Sequence, residues 1–124
     1  MAISEEAVKL HGQGLNCAQC VLTACGKYTG LDEDTARRIA AGFGGGVRSG
    51  EICGAISGAV MALGLAEEDR AKISAAARQC VEDFRQQYGF VRCLELKRAG
   101  VSCDELIAHG AEYVENYLNS QIKD

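Results

Sequence analysis

Small residues recur at every fourth position along the longest apolar run of this chain. Gly54, Gly58 and Ala62 stand about one helical turn apart within residues 52–66, so a helix here carries one face of almost bare backbone. Such a face lets a neighbouring helix approach very closely, for steric reasons that hold in water as well as in lipid. The run is too short and too rich in glycine to span a bilayer, which takes about 20 apolar residues. No membrane insertion is expected, and the run reads as a central, buried helix over about residues 51–63, stopped by Gly64. Ahead of it lies the Gly-rich stretch Gly42-Phe43-Gly44-Gly45-Gly46-Val47-Arg48-Ser49-Gly50. That density of glycine asks for positive φ or for close approach of another group.

The rest of the chain points to helices as well. It contains no proline and few strand-like alternations. The expected fold is all-α: one domain over residues 1–124, a bundle of about five to six helices with the Gly-rich loop before the central one. Ser4 is expected to cap the first helix, with Glu5 and Glu6 in its first turn. Asn16 caps a second helix, Gly30 closes that region, and Asp32 or Asp34 opens a third. A long helix follows over about residues 67–88, with Ile73, Ala76, Cys80, Val81 and Phe84 on its apolar stripe and Gly89 at its end. A short turn at Cys93 precedes a last helix beginning at Ser102 or Cys103, and residues 121–124 are expected to fray.

Function classes narrow next. The net charge is −4, and the 13 basic residues are interspersed with 17 acidic ones. With no basic stripe, nucleic acid is an unsuitable partner. The opening Met-Ala-Ile-Ser-Glu-Glu shows no basic or apolar leader region, so a cytoplasmic, reducing setting is expected. There the seven cysteines, an odd number, suit metal binding or redox work rather than disulfide staples.

Cys53 follows the Gly-rich loop at a helix start, next to Arg48. A helix N-terminus and a cation both favour a thiolate, which predicts a depressed pKa and a reactive thiol. The competing reading is a small residue packed against another helix. Cys17-Ala18-Gln19-Cys20 is a C-x-x-C at a helix start, where Cys17 is the reactive thiol and Cys20 either its resolving partner or incidental. Cys93 and Cys103 lie at turns, and their residues alone favour burial. Cys25 and Cys80 read as packing residues. His11 and His109 receive no role, and no Lys-Ser or Lys-Thr ending makes the Gly-rich loop a phosphate cradle.

Phe43-Gly44-Gly45-Gly46, Cys53-Gly54-Ala55-Ile56-Ser57-Gly58 and Leu63-Gly64-Leu65, taken with Asn16-Cys17-Ala18-Gln19, resemble the C_GCAxxG_C_C family of redox-active proteins. That family is defined by a CGAxxG motif and four characteristic cysteines. Cys17 and Cys53 match the first two by motif; Cys93 and Cys103 match the others by order and spacing; Cys20, Cys25 and Cys80 are extra. The resemblance implies a small helical electron carrier or oxidoreductase whose Cys17, Cys53, Cys93 and Cys103 converge as metal ligands. Four thiolates suit an iron–sulfur cluster, with Cys53 and Cys17 as the active thiols. Backbone N–H groups of Gly44, Gly45 and Gly46 would then bond to cluster sulfurs, and bare Gly54 would let a helix close over the site. The alternatives are a metal-free dithiol and a structural zinc site. The implied partner is a redox protein, and the Gly54/Gly58 face can also serve a homodimer.

Overall fold

A computed structural model describes residues 1–122. Eight α-helices succeed one another among them: α1 Ile3–Gly12, α2 Cys17–Ala24, α3 Gly26–Thr29, α4 Glu33–Ala40, α5 Gly54–Ala66, α6 Arg70–Tyr88, α7 Cys93–Arg98 and α8 Cys103–Ile122. No strand forms among the described residues; one isolated antiparallel bridge joins Ile52 to Arg92. The fold is all-α as expected, with more helices than five to six. The excess comes from two short helices: α3, which restarts at once after Cys25 ends α2, and α7.

Side-chain caps set most of the boundaries. Asn16 Oδ1 accepts the Gln19 N–H at 2.9 Å, and Gln19 Oε1 accepts the Asn16 N–H at 2.9 Å, a reciprocal box that holds the start of α2 rigidly. Asp32 accepts the Thr35 N–H, and Asp69 accepts from Ala71 and Lys72. Gly30 and Gly89 end α3 and α6 in the left-handed conformation. Three boundaries differ from the sequence reading. α1 starts one residue before Ser4, with Ala2 at the cap and its N–H donated to Glu5. α5 starts at Gly54 because residues 51–53 are extended, and it runs through Gly64 to Ala66. α6 begins only after Asp69. Gln121 and Ile122 are still helical, and the rest of the expected frayed end lies outside the described residues.

The bare face of α5 closes on α2. A Cβ at Gly58 would sit 2.7 Å from the Ala18 carbonyl oxygen, and one at Gly54 would sit 3.1 Å from the Ala18 nitrogen and 3.2 Å from Cys17 Cβ. Beside it, Gly110 of α8 approaches the Ala55 carbonyl so closely that its Cβ would lie 2.9 Å away. Three helices thus meet backbone to backbone around buried Ala18, Val21, Leu22, Ala55, Ala59 and Ala111. The Gly54/Gly58 face is thus packed within the chain.

The Gly-rich stretch is compact. A 3-10 turn over Ala41–Phe43 is followed by four successive left-handed residues, Gly45, Gly46, Val47 and Arg48. Left-handed backbone costs a non-glycine residue about 1–2 kcal/mol, so Val47 and Arg48 are strained. Gly46 is needed because a Cβ there would run into the Glu51 backbone, and Gly44 because one would lie 2.6 Å from the Asn16 side chain.

Two glycine substitutions in α5 should move stability in opposite directions. Gly58→Ala forces backbone apart and should cost about 1–3 kcal/mol, as overpacking does. Gly64→Ala meets no atom within 4 Å and should add roughly 0.5–1 kcal/mol. Urea midpoints at unchanged m-value measure both.

Candidate functional site

All seven cysteines are free thiols, with Cys20, Cys25, Cys53 and Cys80 buried and Cys17, Cys93 and Cys103 half-buried. Each of the four family-matched cysteines begins or caps a helix. Cys17 is the first residue of α2, Cys53 caps α5, Cys93 opens α7 and Cys103 opens α8.

Local bonds bring these starts together. Gly54 sets the first turn of α5 against Cys17, as above. The Cys53 N–H donates to the Val91 carbonyl at 2.9 Å, and the Cys93 N–H donates to the Glu51 carbonyl at 2.6 Å. This two-bond clamp, reinforced outside by the Glu51–Arg92 ion pair at 3.1 Å, ties Cys93 to the segment that carries Cys53. Gly100 turns left-handed, Ser102 Oγ accepts the Glu105 N–H, and α8 then runs back along α1. There His11 Nδ1 lies 2.6 Å from Asp104 Oδ1, which pins Cys103 beside α2. Cys103 and Cys53 lie close enough to Cys17 to raise its thiol pKa, and Cys53 in turn feels Cys93 and Cys103, so the four matched thiols are neighbours linked by their electrostatic influence.

The Cys20 thiol donates to the Leu15 carbonyl, and Cys20 also lies close enough to Cys17 to act on it by its charge. Cys25 and Cys80 are fully buried in the core, as expected, though Cys80 lies near enough to Cys53 to be shifted by its charge.

The expectation of a depressed pKa at Cys53 is overturned. Burial pushes this thiol up to about 11, even though the backbone N–H groups of Ala55 and Ile56 pull the other way. Losing water outweighs the helix N-terminus. Arg48 is exposed in the left-handed turn and is not among the groups that shift Cys53. The N–H groups that act on this thiol thus come from the first turn of α5, whereas Gly44 and Gly46 have packing reasons of their own. Burial also raises Cys20, Cys25 and Cys80 to about 12. It lifts Cys17 further, with Cys103 and Cys53 adding to the effect.

Sequence reasoning missed the clamp, because a single β-bridge has no periodic signal. It also missed both histidine pairs. His109 Nε2 lies 2.6 Å from Asp83 Oδ2 and its Nδ1 lies 3.0 Å from Tyr88 Oη, with the ring 4.4 Å from that of Phe84. Among the described residues, no three His, Cys, Asp or Glu side chains converge tightly enough to grip a single metal ion, and no helix is long and apolar enough to cross a membrane.

Fold and site together define a small all-helical protein whose four matched thiols, one buried and three half-buried, stand at helix starts. A family model described as "Putative redox-active protein (C_GCAxxG_C_C)" matches residues 15–117, and the chain belongs to that family. No curated protein and no solved structure matches the chain.

Raised thiol pKa values make stability fall in alkali. The unfolded thiols ionise near 9, whereas Cys53 holds its proton to about 11 and Cys20, Cys25 and Cys80 to about 12. Over that window the native state binds more protons than the unfolded one, so their contribution is complete below pH 9 and is lost as pH rises through the folded values. Denaturant midpoints between pH 8 and 11 should fall steadily, and replacing Cys25 by Ala should flatten the slope.

Proposed function

We propose that this chain is a small redox protein whose Cys17, Cys53, Cys93 and Cys103 hold an iron–sulfur cluster and pass electrons to a partner protein. The observation that carries this reading is the gathering of four thiols from four separate helix starts into one connected set, in a chain of a redox-active family. The donor set is all sulfur, as cluster ligation requires. A structural zinc held by the same four cysteines is the alternative metal reading. A bound cluster supplies one-electron exchange at near-constant geometry.

The chain's own residues would do three things. The four thiols give up their protons to become ligands. The backbone N–H groups of Ala55 and Ile56 favour negative charge on Cys53, which would raise the reduction potential. The apolar walls from α2, α5 and α8 exclude water. Because Cys53 keeps its proton to about 11 when unligated, loading must displace protons and should weaken as pH falls. The reading assumes a reducing, cytoplasmic setting in which the thiols stay free.

A second reading has one specific observation behind it. The nearness of Cys103 to Cys17, enough to raise the Cys17 thiol pKa, suits a metal-free dithiol that cycles through a disulfide.

Anaerobic reconstitution with iron and sulfide separates the two. The cluster reading expects visible absorption that bleaches with dithionite, with stoichiometric iron and sulfide. Serine at Cys17, Cys53, Cys93 or Cys103 should each abolish it, while Cys25→Ser and Cys20→Ser should retain it. A colourless, iron-free protein with one reversibly oxidised thiol pair would establish the dithiol instead.

A further inference from the structure

A concavity of about 1080 Å³ opens between α5, α6 and the left-handed turn, outside the thiol site. Packing explains why it exists. The bare face of α5 is spent on α2, which leaves its larger residues Ile56, Val60 and Met61 on the side toward the groove. On α6 the buried stripe is Ala76, Cys80 and Phe84. A second stripe, Ser74, Ala77, Arg78, Val81 and Arg85, lines the groove at helical spacing. Ser74 and Ala77 are too small to fill it. Phe43, Ile52 and Val47 close the third side, with Ile52 38 % and Val47 47 % exposed. Val47 holds that place at the expense of a left-handed backbone.

Shape and charge narrow the occupant. The volume is that of a site for one organic molecule, which runs to about 1,000 Å³; a second copy of the chain would sit on a flatter face. Arg78 stands within the α6 wall, about 10 Å from Arg85 at a rise of ~1.5 Å per residue. Arg78, Glu82 and Arg85 are the charged residues that line the groove; Arg85 pairs with Glu82, and Arg78 is exposed and takes part in no ion pair among the described residues. An apolar trough with an unpaired guanidinium on its wall complements an apolar tail with an anionic head, since guanidinium and carboxylate match as paired donors and acceptors.

We propose that this groove binds an anionic amphiphile, an acyl chain ending in a carboxylate, with the chain between α5 and α6 and the carboxylate on Arg78. The site stands apart from the redox reading and holds or fails independently of it.

Calorimetric titration of the full chain with dodecanoate below its micellar concentration tests the proposal, with dodecanol and dodecyltrimethylammonium as comparators. The expected result is saturable one-to-one binding of dodecanoate, weaker binding of the alcohol and weakest of the cation. Arg78→Glu should reduce dodecanoate affinity about tenfold or more, the worth of a charge-assisted hydrogen bond. Ala77→Trp should fill the groove and remove binding. Ser74→Trp, at an exposed position, is the second filling variant should Ala77→Trp fail to fold, and circular dichroism melts check both. Equal binding of cation and anion, affinity unchanged in Arg78→Glu, binding that survives a folded filling variant, or no saturable binding would each overturn the proposal. So would a sedimenting dimer that dodecanoate does not perturb but either tryptophan dissociates, because the groove would then belong to a second copy.

Discussion

Everything in this fold depends on how closely α5 lies on α2. Any side chain at Gly58 would press on the Ala18 carbonyl, and any at Gly54 would press on the Ala18 nitrogen and on Cys17. Glycine therefore does two jobs here. It lets two short helices bury each other without large side chains, which suits a chain with only three Phe and no Trp. It also sets the start of α5 against the start of α2, so Cys53 and Cys17 become neighbours as a by-product of packing. The same contact turns the larger residues of α5 outward and so produces the groove against α6.

Burial governs the chemistry of the thiols more than the helix termini do. A helix N-terminus offers partial positive charge and N–H groups, and both are present at Cys53. Yet loss of hydration wins, and the thiol keeps its proton well past neutrality. A buried thiolate without a counter-charge is costly. The sulfurs can shed their protons only by binding a cation that replaces the lost water or by joining one another. Neither outcome leaves an isolated, solvent-facing nucleophile. That is why the reactive Cys53 expected from its place in the chain gives way to a collective site.

Much of this was legible in the residues. The absence of proline, the four-residue spacing of Gly54, Gly58 and Ala62, and the caps at Asn16 and Asp32 have local or periodic signatures, and the helices stand where those signatures put them. Cys25 and Cys80 were readable as core for the same reason. What was hidden is non-local or unperiodic. The α7 clamp rests on two backbone bonds between segments some forty residues apart in sequence. The left-handed turn places a β-branched residue, Val47, where propensity forbids one. His11 and His109 find aspartates only once α1 meets α8 and α6 meets α8. The sign of the Cys53 shift needed the burial that packing creates, which adjacency to Arg48 in sequence cannot supply.

The most direct measurement of the central claim, that remote thiols converge, is disulfide mapping. The native, metal-free protein is oxidised briefly with diamide, digested without reduction and analysed by mass spectrometry. The account predicts a link between Cys17 and Cys103, which lie close enough for one to shift the other, with Cys20 and Cys25 left reduced in the core. A link between Cys17 and Cys20, with Cys103 unpaired, would contradict it and return the site to a local C-x-x-C.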